Sequence, residues 1–181
     1  MKTAKLPIYT IGHSNRTFDE FFELLKASHV ELVVDIRKMP KSRNNPQFEG
    51  TTLRRSLEKA GIGYVHEPLL GGLRRARKDS LNDAWRNASF RGFADYMATD
   101  DFKRGLNGLL DRAGETRTAI MCAEAVPWRC HRSLVADALK ASGRRVLDII
   151  SRAKPSPHRY TPFLRRRRGV LTYPASALSA R

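Results

Sequence analysis

The amino-acid sequence predicts an α/β fold, a single three-layer domain with a mainly parallel sheet covered by helices. Three observations carry this. Apolar segments of strand length alternate with segments whose apolar residues recur at helical spacing, as where crossover helices join parallel strands. The helical segments start and stop at residues that cap helices. A chain of 181 residues suits one core rather than two.

Pro7 to Ile11 reads as the first strand, ended by Gly12. Thr17 and Glu20 then form a capping box, in which each side chain satisfies a backbone N–H that the helix start leaves free. Phe18, Phe21, Phe22 and Leu25 follow at helical spacing and define the face laid on the sheet. Glu31 to Ile36 is the second strand. A helix runs from about Thr52 to Ala60, where Leu53, Leu57 and Ala60 share a face and Gly61 offers a left-handed stop. Gly63 to His66 reads as a short strand. Between Gly71 and Arg91 the pattern is poor, so a long loop of the kind that serves as a lid is expected, hardening into helix near Trp85. The next helix begins near Asp100 and carries Phe102, Leu106, Leu109 and Leu110, with Gly114 beyond its end. Thr118 to Cys122 is a strand, Cys130 to Ser142 a helix stopped by Gly143, and Arg145 to Ile150 the last strand. Residues 7–150 thus form the core, and 151–181 a basic C-terminal extension of the same domain.

Thirty-four Lys and Arg stand against 18 Asp and Glu, a formal net charge of +16, while the apolar share of 41% is that of a globular protein. Such a field attracts nucleic acid, phosphorylated metabolites or anionic membrane surfaces without choosing among them. Eight of the basic residues and no acid fall between Ser151 and Arg181, so half of the excess sits there. No basic-then-apolar leader precedes the first strand, and no apolar run approaches the ~20 residues that cross a bilayer. A cytoplasmic protein without membrane association is expected. There Cys122 and Cys130 are expected as thiols, and two cysteines are too few for a disulfide scaffold.

Parallel strands end on one edge of their sheet, so residues just after strands converge even when distant in sequence. Those places are polar: Gly12-His13-Ser14-Asn15 after the first strand, Asp35 and Arg37 at the second, and His66, Glu67 and Gly71-Gly72 after the third. Glu124 follows the Cys122 strand, and Cys130-His131-Arg132 opens the next helix. A strand-to-helix loop exposes backbone N–H groups at the positive end of a helix dipole, so an anion can dock there, with Arg132 and Arg37 as bidentate clamps. A structural alternative pairs Glu124 with one of these arginines. Asp35, within an apolar run, must be paired or protonated, as a general base or as the partner of Arg37. With Glu124 it makes a carboxylate pair of the type used in acid/base work. His13 is a candidate proton shuttle or a histidine bonded to its own loop.

Three readings stand open for Cys122: a buried thiol, a metal ligand with Cys130 and His131, or a nucleophile activated near a helix start. The spacing matches no recognised zinc pattern and a fourth ligand is not evident, so no metal is assigned. The Gly71 to Lys78 loop places flexible backbone beside four basic side chains, and Arg165 to Arg168 offers a salt-sensitive surface for nucleic acid. Trp85, Trp128 and Tyr160 suit base stacking or core packing alike.

Thr10-Ile11-Gly12-His13-Ser14-Asn15, Val34-Asp35-Ile36-Arg37 with Pro40 and Ser42, Leu70-Gly71-Gly72, and Met121-Cys122-Ala123-Glu124 through Pro127 to Cys130-His131-Arg132 occur in this order. Together they resemble the family called domain of unknown function 488. The resemblance extends over about residues 7 to 175, ending in His158, Thr161-Pro162 and Leu171-Thr172-Tyr173-Pro174. It implies a compact α/β domain and brings no reaction with it. The Arg165 to Arg168 run exceeds what the family's tail leads one to expect. The strand-Asp-Arg and strand-Cys-loop-helix parts also resemble, more distantly, rhodanese-like sulfurtransferases, although this loop is longer and contains Glu124, Pro127 and Trp128.

The leading expectation is a hydrolase or transferase acting on a nucleotide-like or other phosphate-bearing substrate in the strand-end pocket. Asp35, Glu124, His13 and Cys122 are its catalytic candidates. Ser14, Asn15, Arg37, Gly71, Gly72, Cys130, His131 and Arg132 are the candidates for holding a small anionic ligand. A non-catalytic module that binds nucleic acid non-specifically through the basic loop and tail is the alternative, and rhodanese-like sulfur or redox chemistry at Cys122 a second. The sequence does not specify a cofactor or an oligomeric state.

Overall fold

A computed structural model describes residues 5–177. Five strands run parallel: β1 (Ile8–Gly12), β2 (Leu32–Asp35), β3 (Gly63–His66), β4 (Thr118–Cys122) and β5 (Val146–Ile149), in the spatial order β3-β2-β4-β1-β5. A two-residue strand, β6 (Ser156–Pro157), pairs antiparallel with β5. Side chains alternate across the sheet, so Val33 and Met121 enter one apolar layer and Val34 and Ile120 the other.

Helices cover both layers, which is why the strands read as continuous apolar runs. On one side α1 (Phe18–Ala27) and α2 (Gly50–Lys59) contribute Phe21, Leu24, Leu25, Leu53 and Leu57. On the other, α3 (Ala88–Tyr96), α4 (Asp100–Arg112) and α5 (Arg132–Ala141) contribute Phe93, Phe102, Leu109, Leu134 and Val135. The capping box of Thr17 and Glu20 is formed. α2 starts two residues before Thr52, because the Glu49 carboxylate accepts from the Thr51 and Thr52 N–H groups. α3 starts after Trp85, at a cap made by Asn87, while the Trp85 ring stays in the loop against Phe90 and Phe163. No helix among the described residues is long and apolar enough to cross a membrane.

The C-terminal segment folds back as part of the core. Tyr173 is fully buried, its N–H donating to Asn82 Oδ1 and its hydroxyl to Asp137, and His158 is buried on the same aspartate. The Arg165–Arg168 run, read as part of a basic extension, supplies an exposed strand, β7 (Arg165–Arg167), paired antiparallel with β8 (Val170–Thr172). Arg168 and Gly169 turn the hairpin, both at positive φ (48° and 81°), the geometry that two-residue hairpin turns favour. Arg181, the last basic residue of that segment, lies outside the described residues.

Candidate functional site

Strand order determines which loops meet. β1 and β4 are neighbours, but the helices that follow them pack on opposite faces of the sheet, α1 on one and α5 on the other, so a crevice opens at their carboxyl ends. The two loops are joined along its floor: the His13 N–H donates to the Cys122 carbonyl (3.0 Å) and the Ser14 N–H to that of Ala123 (2.8 Å). Gly12 makes this approach feasible, because a Cβ there would run into the Glu124 carbonyl. A cavity of about 920 Å³ lies above, and among the residues that line it are His13, Ser14, Arg37, Gly72, Cys122, Glu124, Cys130 and His131.

Asp35 fixes one wall. Its fully buried carboxylate accepts from Arg37 N (3.0 Å), Nε (2.9 Å) and NH2 (2.6 Å), and from the Tyr64 hydroxyl (2.7 Å). Burial and then the Asp35 charge raise the Tyr64 pKa, so that hydroxyl remains a donor. With both oxygens engaged and no access to the cavity, Asp35 anchors Arg37 and is not a base for a ligand, which corrects the carboxylate-pair expectation. The remaining Arg37 nitrogen, NH1, lies 3.4 Å from His13 Nε2. His13 Nδ1 is 2.7 Å from the Ser14 carbonyl and must donate to it, which leaves Nε2 as the acceptor facing Arg37. Burial first, and Arg37 with it, hold the His13 pKa below the usual histidine value. Its ring stacks on Phe48 at 4.4 Å.

Arg132 is corrected as an anion clamp. Its guanidinium is fully buried and holds the loop floor: NH1 donates to the carbonyls of Ile11 (2.9 Å) and Glu124 (2.9 Å), and NH2 to that of Ala125 (3.3 Å). Burial lowers its pKa to about 10, so it remains cationic at neutral pH. Asn15 and Gly71 do not line the cavity. Asn15 is exposed and accepts from the Ser14 hydroxyl, and Gly71 packs on the Lys38 backbone. Glu124 is exposed on the rim, and its carboxylate makes no ion pair or hydrogen bond among the described residues, so the pairing of Glu124 with an arginine is not formed.

The cysteines also depart from expectation. Cys122 and Cys130 were expected as separate thiols, and the structure joins their sulfurs, because the end of β4 and the approach to α5, eight positions apart in sequence, face each other. His131 sits beside them, its Nε2 donating to the Ile36 carbonyl (3.0 Å) and its Nδ1 3.5 Å from Cys130 Sγ. Burial pushes its pKa down to about 4, so the ring is neutral at pH 7. Gly72 passes close over this ring, where a Cβ would stand 2.9 Å from His131 Nδ1.

Sequence reasoning missed the main cations of the cavity. Lys38, Lys41 and Arg43, in the loop after β2, and Arg129, in the short 3-10 turn Pro127–Arg129, line it with exposed side chains that make no ion pair or hydrogen bond among the described residues. Their position after strand ends was the available signal, overlooked in favour of the denser run at Arg74 to Lys78. That run does not reach the cavity: Arg74 stacks on Tyr96 at 3.6 Å and Arg77 pairs with Asp79 at 2.8 Å. Leu73, at positive φ (59°), does line it.

No curated protein and no solved structure matches the chain. The family model described as Domain of unknown function DUF488 matches residues 17–139, a span that begins one residue before α1, ends within α5 and includes Arg37, Gly72, Cys122, Glu124, Cys130 and His131. On that match, over more than half of its length, the chain belongs to the DUF488 family.

Proposed function

We propose that the cavity is the active site of a hydrolase or transferase acting on a nucleotide-like or other phosphate-bearing substrate. One observation carries the reading: Arg37 and four unpaired cations, Lys38, Lys41, Arg43 and Arg129, surround a cavity whose lining includes one acid, the unpaired Glu124. Scattered surface cations are ordinary, whereas five about one concavity make a field that selects anions. A volume of about 920 Å³ suits a ligand of nucleotide size. Asp35 holds the Arg37 fork rigid, so little side-chain entropy is lost when its NH1 meets an oxyanion. Met39 and Leu73, more than half exposed at the mouth, and Phe90 offer apolar surface to a base or sugar. Glu124 is the group on this lining with a free carboxylate for proton transfer, and His13 Nε2 lies beside Arg37 as a second acceptor.

Thermal shift against nucleotides, sugar phosphates, pyrophosphate and uncharged analogues tests the binding, since a ligand that binds only the native state stabilises by RT ln(1 + [L]/Kd). Phosphate-bearing compounds should raise Tm, and K41S/R43S should weaken the effect. With a turnover assay in hand, Glu124→Gln should bind the same compounds and lose roughly 10²- to 10⁴-fold in rate. A panel in which no anion shifts Tm overturns the anion pocket; full turnover by Glu124→Gln removes the carboxylate from the reaction.

A further inference from the structure

We propose that Cys122, Cys130 and His131 form a binding site for a thiophilic divalent metal ion of the zinc class, in the wall of the cavity and with one coordination position open to it. The three ligand atoms lie within 4.8 Å of one another. A tetrahedral ion bonded to two sulfurs at about 2.3 Å holds them roughly 3.8 Å apart, so the two sulfurs, bonded to each other here, part to admit it.

Three features distinguish the cluster from a structural cross-link. The Cα atoms of Cys122 and Cys130 are 7.6 Å apart, wider than the about 7 Å a disulfide spans without backbone movement, and that width suits an intervening ion. His131 has the arrangement of a metal-ligating histidine: Nε2–H donates to the Ile36 carbonyl, which fixes the tautomer and leaves the Nδ1 lone pair on the sulfur side, 3.5 Å from Cys130 Sγ. Both sulfurs face N–H donors, the Arg132 backbone N–H on Cys130 (3.4 Å) and Arg132 NH1 on Cys122 (3.5 Å), which favour the thiolate form that metals bind.

Opening the sulfur–sulfur bond takes two electrons and two protons from a thiol reductant, and the ion then binds the resulting dithiol. Each thiol loses its proton to solvent as its sulfur bonds the ion, the neutral imidazole adds its lone pair, and no further electron is transferred. Three protein ligands with an open fourth position are the pattern of catalytic rather than closed structural sites. All three residues line the cavity that Glu124 also lines, so a water or a phosphate oxygen in the fourth position would be polarised within the anion field. That use rests on the reading of the cavity as an active site; the metal binding itself does not.

The test uses the full chain purified under reducing conditions, stripped with a chelator and titrated with Zn²⁺ and Co²⁺. One ion per chain is expected, with tetrahedral cobalt absorption and a thiolate-to-cobalt charge-transfer band. His131→Gln should lower affinity at least tenfold, and Cys130→Ser should abolish the charge-transfer band or reduce it by half, while K41S/R43S should leave metal binding unchanged. If Cys122→Ser does not fold, the reduced wild-type titration still decides. A folded, reduced protein that takes up neither ion stoichiometrically at micromolar concentration overturns the proposal, as does a Cys122–Cys130 disulfide that survives reductant and excludes the ion. Metal uptake without anion binding would separate this site from the substrate reading.

Discussion

Two polar clusters meet on α5, and they treat histidine in opposite ways. Near the middle of the helix, Asp137 joins a closed network. His158 bonds Asp137 through Nε2 and Asp148 through Nδ1, both at 3.1 Å. Thr10 donates to Asp148 (2.8 Å), and the Tyr173 hydroxyl (3.0 Å) and Thr161 N–H (3.2 Å) donate to Asp137. Burial disfavours the His158 charge, but hydrogen bonds to the two aspartates outweigh it and raise the pKa to about 9. At the start of the helix, His131 faces sulfur and a carbonyl, with no carboxylate among its partners, and burial holds it near 4. Burial is common to both, so the difference lies in the partners. Where acids face the ring, the cluster is charged, saturated and structural; where they do not, the ring is neutral at pH 7.

Breaking the closed network should have the largest effect. Asp137→Ala leaves a buried imidazolium with one aspartate and removes the acceptor of the Tyr173 hydroxyl, so a loss of about 3–5 kcal/mol in urea unfolding is expected. Any anion binding in the cavity should persist in the fraction that stays folded. A loss below about 1 kcal/mol would show that the network is not what closes the C-terminal segment onto the core.

The pH dependence should be somewhat smaller. The His158 pKa is raised in the folded state, so its stabilisation is complete below about 6.5 and is lost as pH rises through about 9, a change on the order of 3 kcal/mol. Asp137, Asp148 and the Lys140 ammonium, which donates to the His158 carbonyl, are the charges around it. Urea midpoints between pH 6 and 9.5 should fall in the wild type and stay nearly level in His158→Gln. Parallel profiles for the two proteins would mean that His158 is not charged in the fold.

At the open cluster the expected effects are on ligands. Arg37→Lys keeps a charge but loses the fork that Asp35 orients, so anion affinity should fall about tenfold with the fold intact. Calorimetric titration with pyrophosphate checks this, and equal affinity in the two proteins would mean that Arg37 serves the fold alone.

Much of this contrast was legible in the sequence, and unevenly. β3 and β4 lie at the residues read from the sequence, because a strand of four or five residues bounded by turn signals leaves little freedom. The convergence of His13, Arg37, Cys122, Glu124 and His131 on one edge follows from parallel topology, which the alternation of elements already implies. The closed network was not legible. Asp137, Asp148 and His158 are scattered polar residues whose pairing exists only once β6 returns beside β5, and a two-residue strand leaves no period to read. Arg132 misled for a related reason: its place at a helix start is visible, whereas the carbonyls that engage its terminal nitrogens belong to a strand more than a hundred residues away and to a nearby loop.

The smallest expected effect on the fold is at the most charged segment of the chain. β7 is exposed along its whole length, and the hairpin, with Leu171 packed against the core, shares a small cavity with the end of α5 at Ala141 and Ser142. The cavity lies at the other end of that helix, whose ten residues span about 15 Å, more than a Debye length at physiological salt. Replacing Arg165, Arg166, Arg167 and Arg168 with Ser should therefore change unfolding stability by less than about 0.5 kcal/mol and leave pyrophosphate affinity within about twofold. If the chain binds nucleic acid through this hairpin, the variant should weaken binding equally on unrelated oligonucleotides and flatten the slope of log K against log salt by up to about four contacts' worth. Fluorescence anisotropy over a salt series, on one random and one structured oligonucleotide, reads both quantities. An unchanged slope would remove the hairpin as the nucleic-acid contact. A pyrophosphate affinity that fell with it would show one continuous basic surface, and the separation between a ligand-binding edge and a structural remainder would then fail.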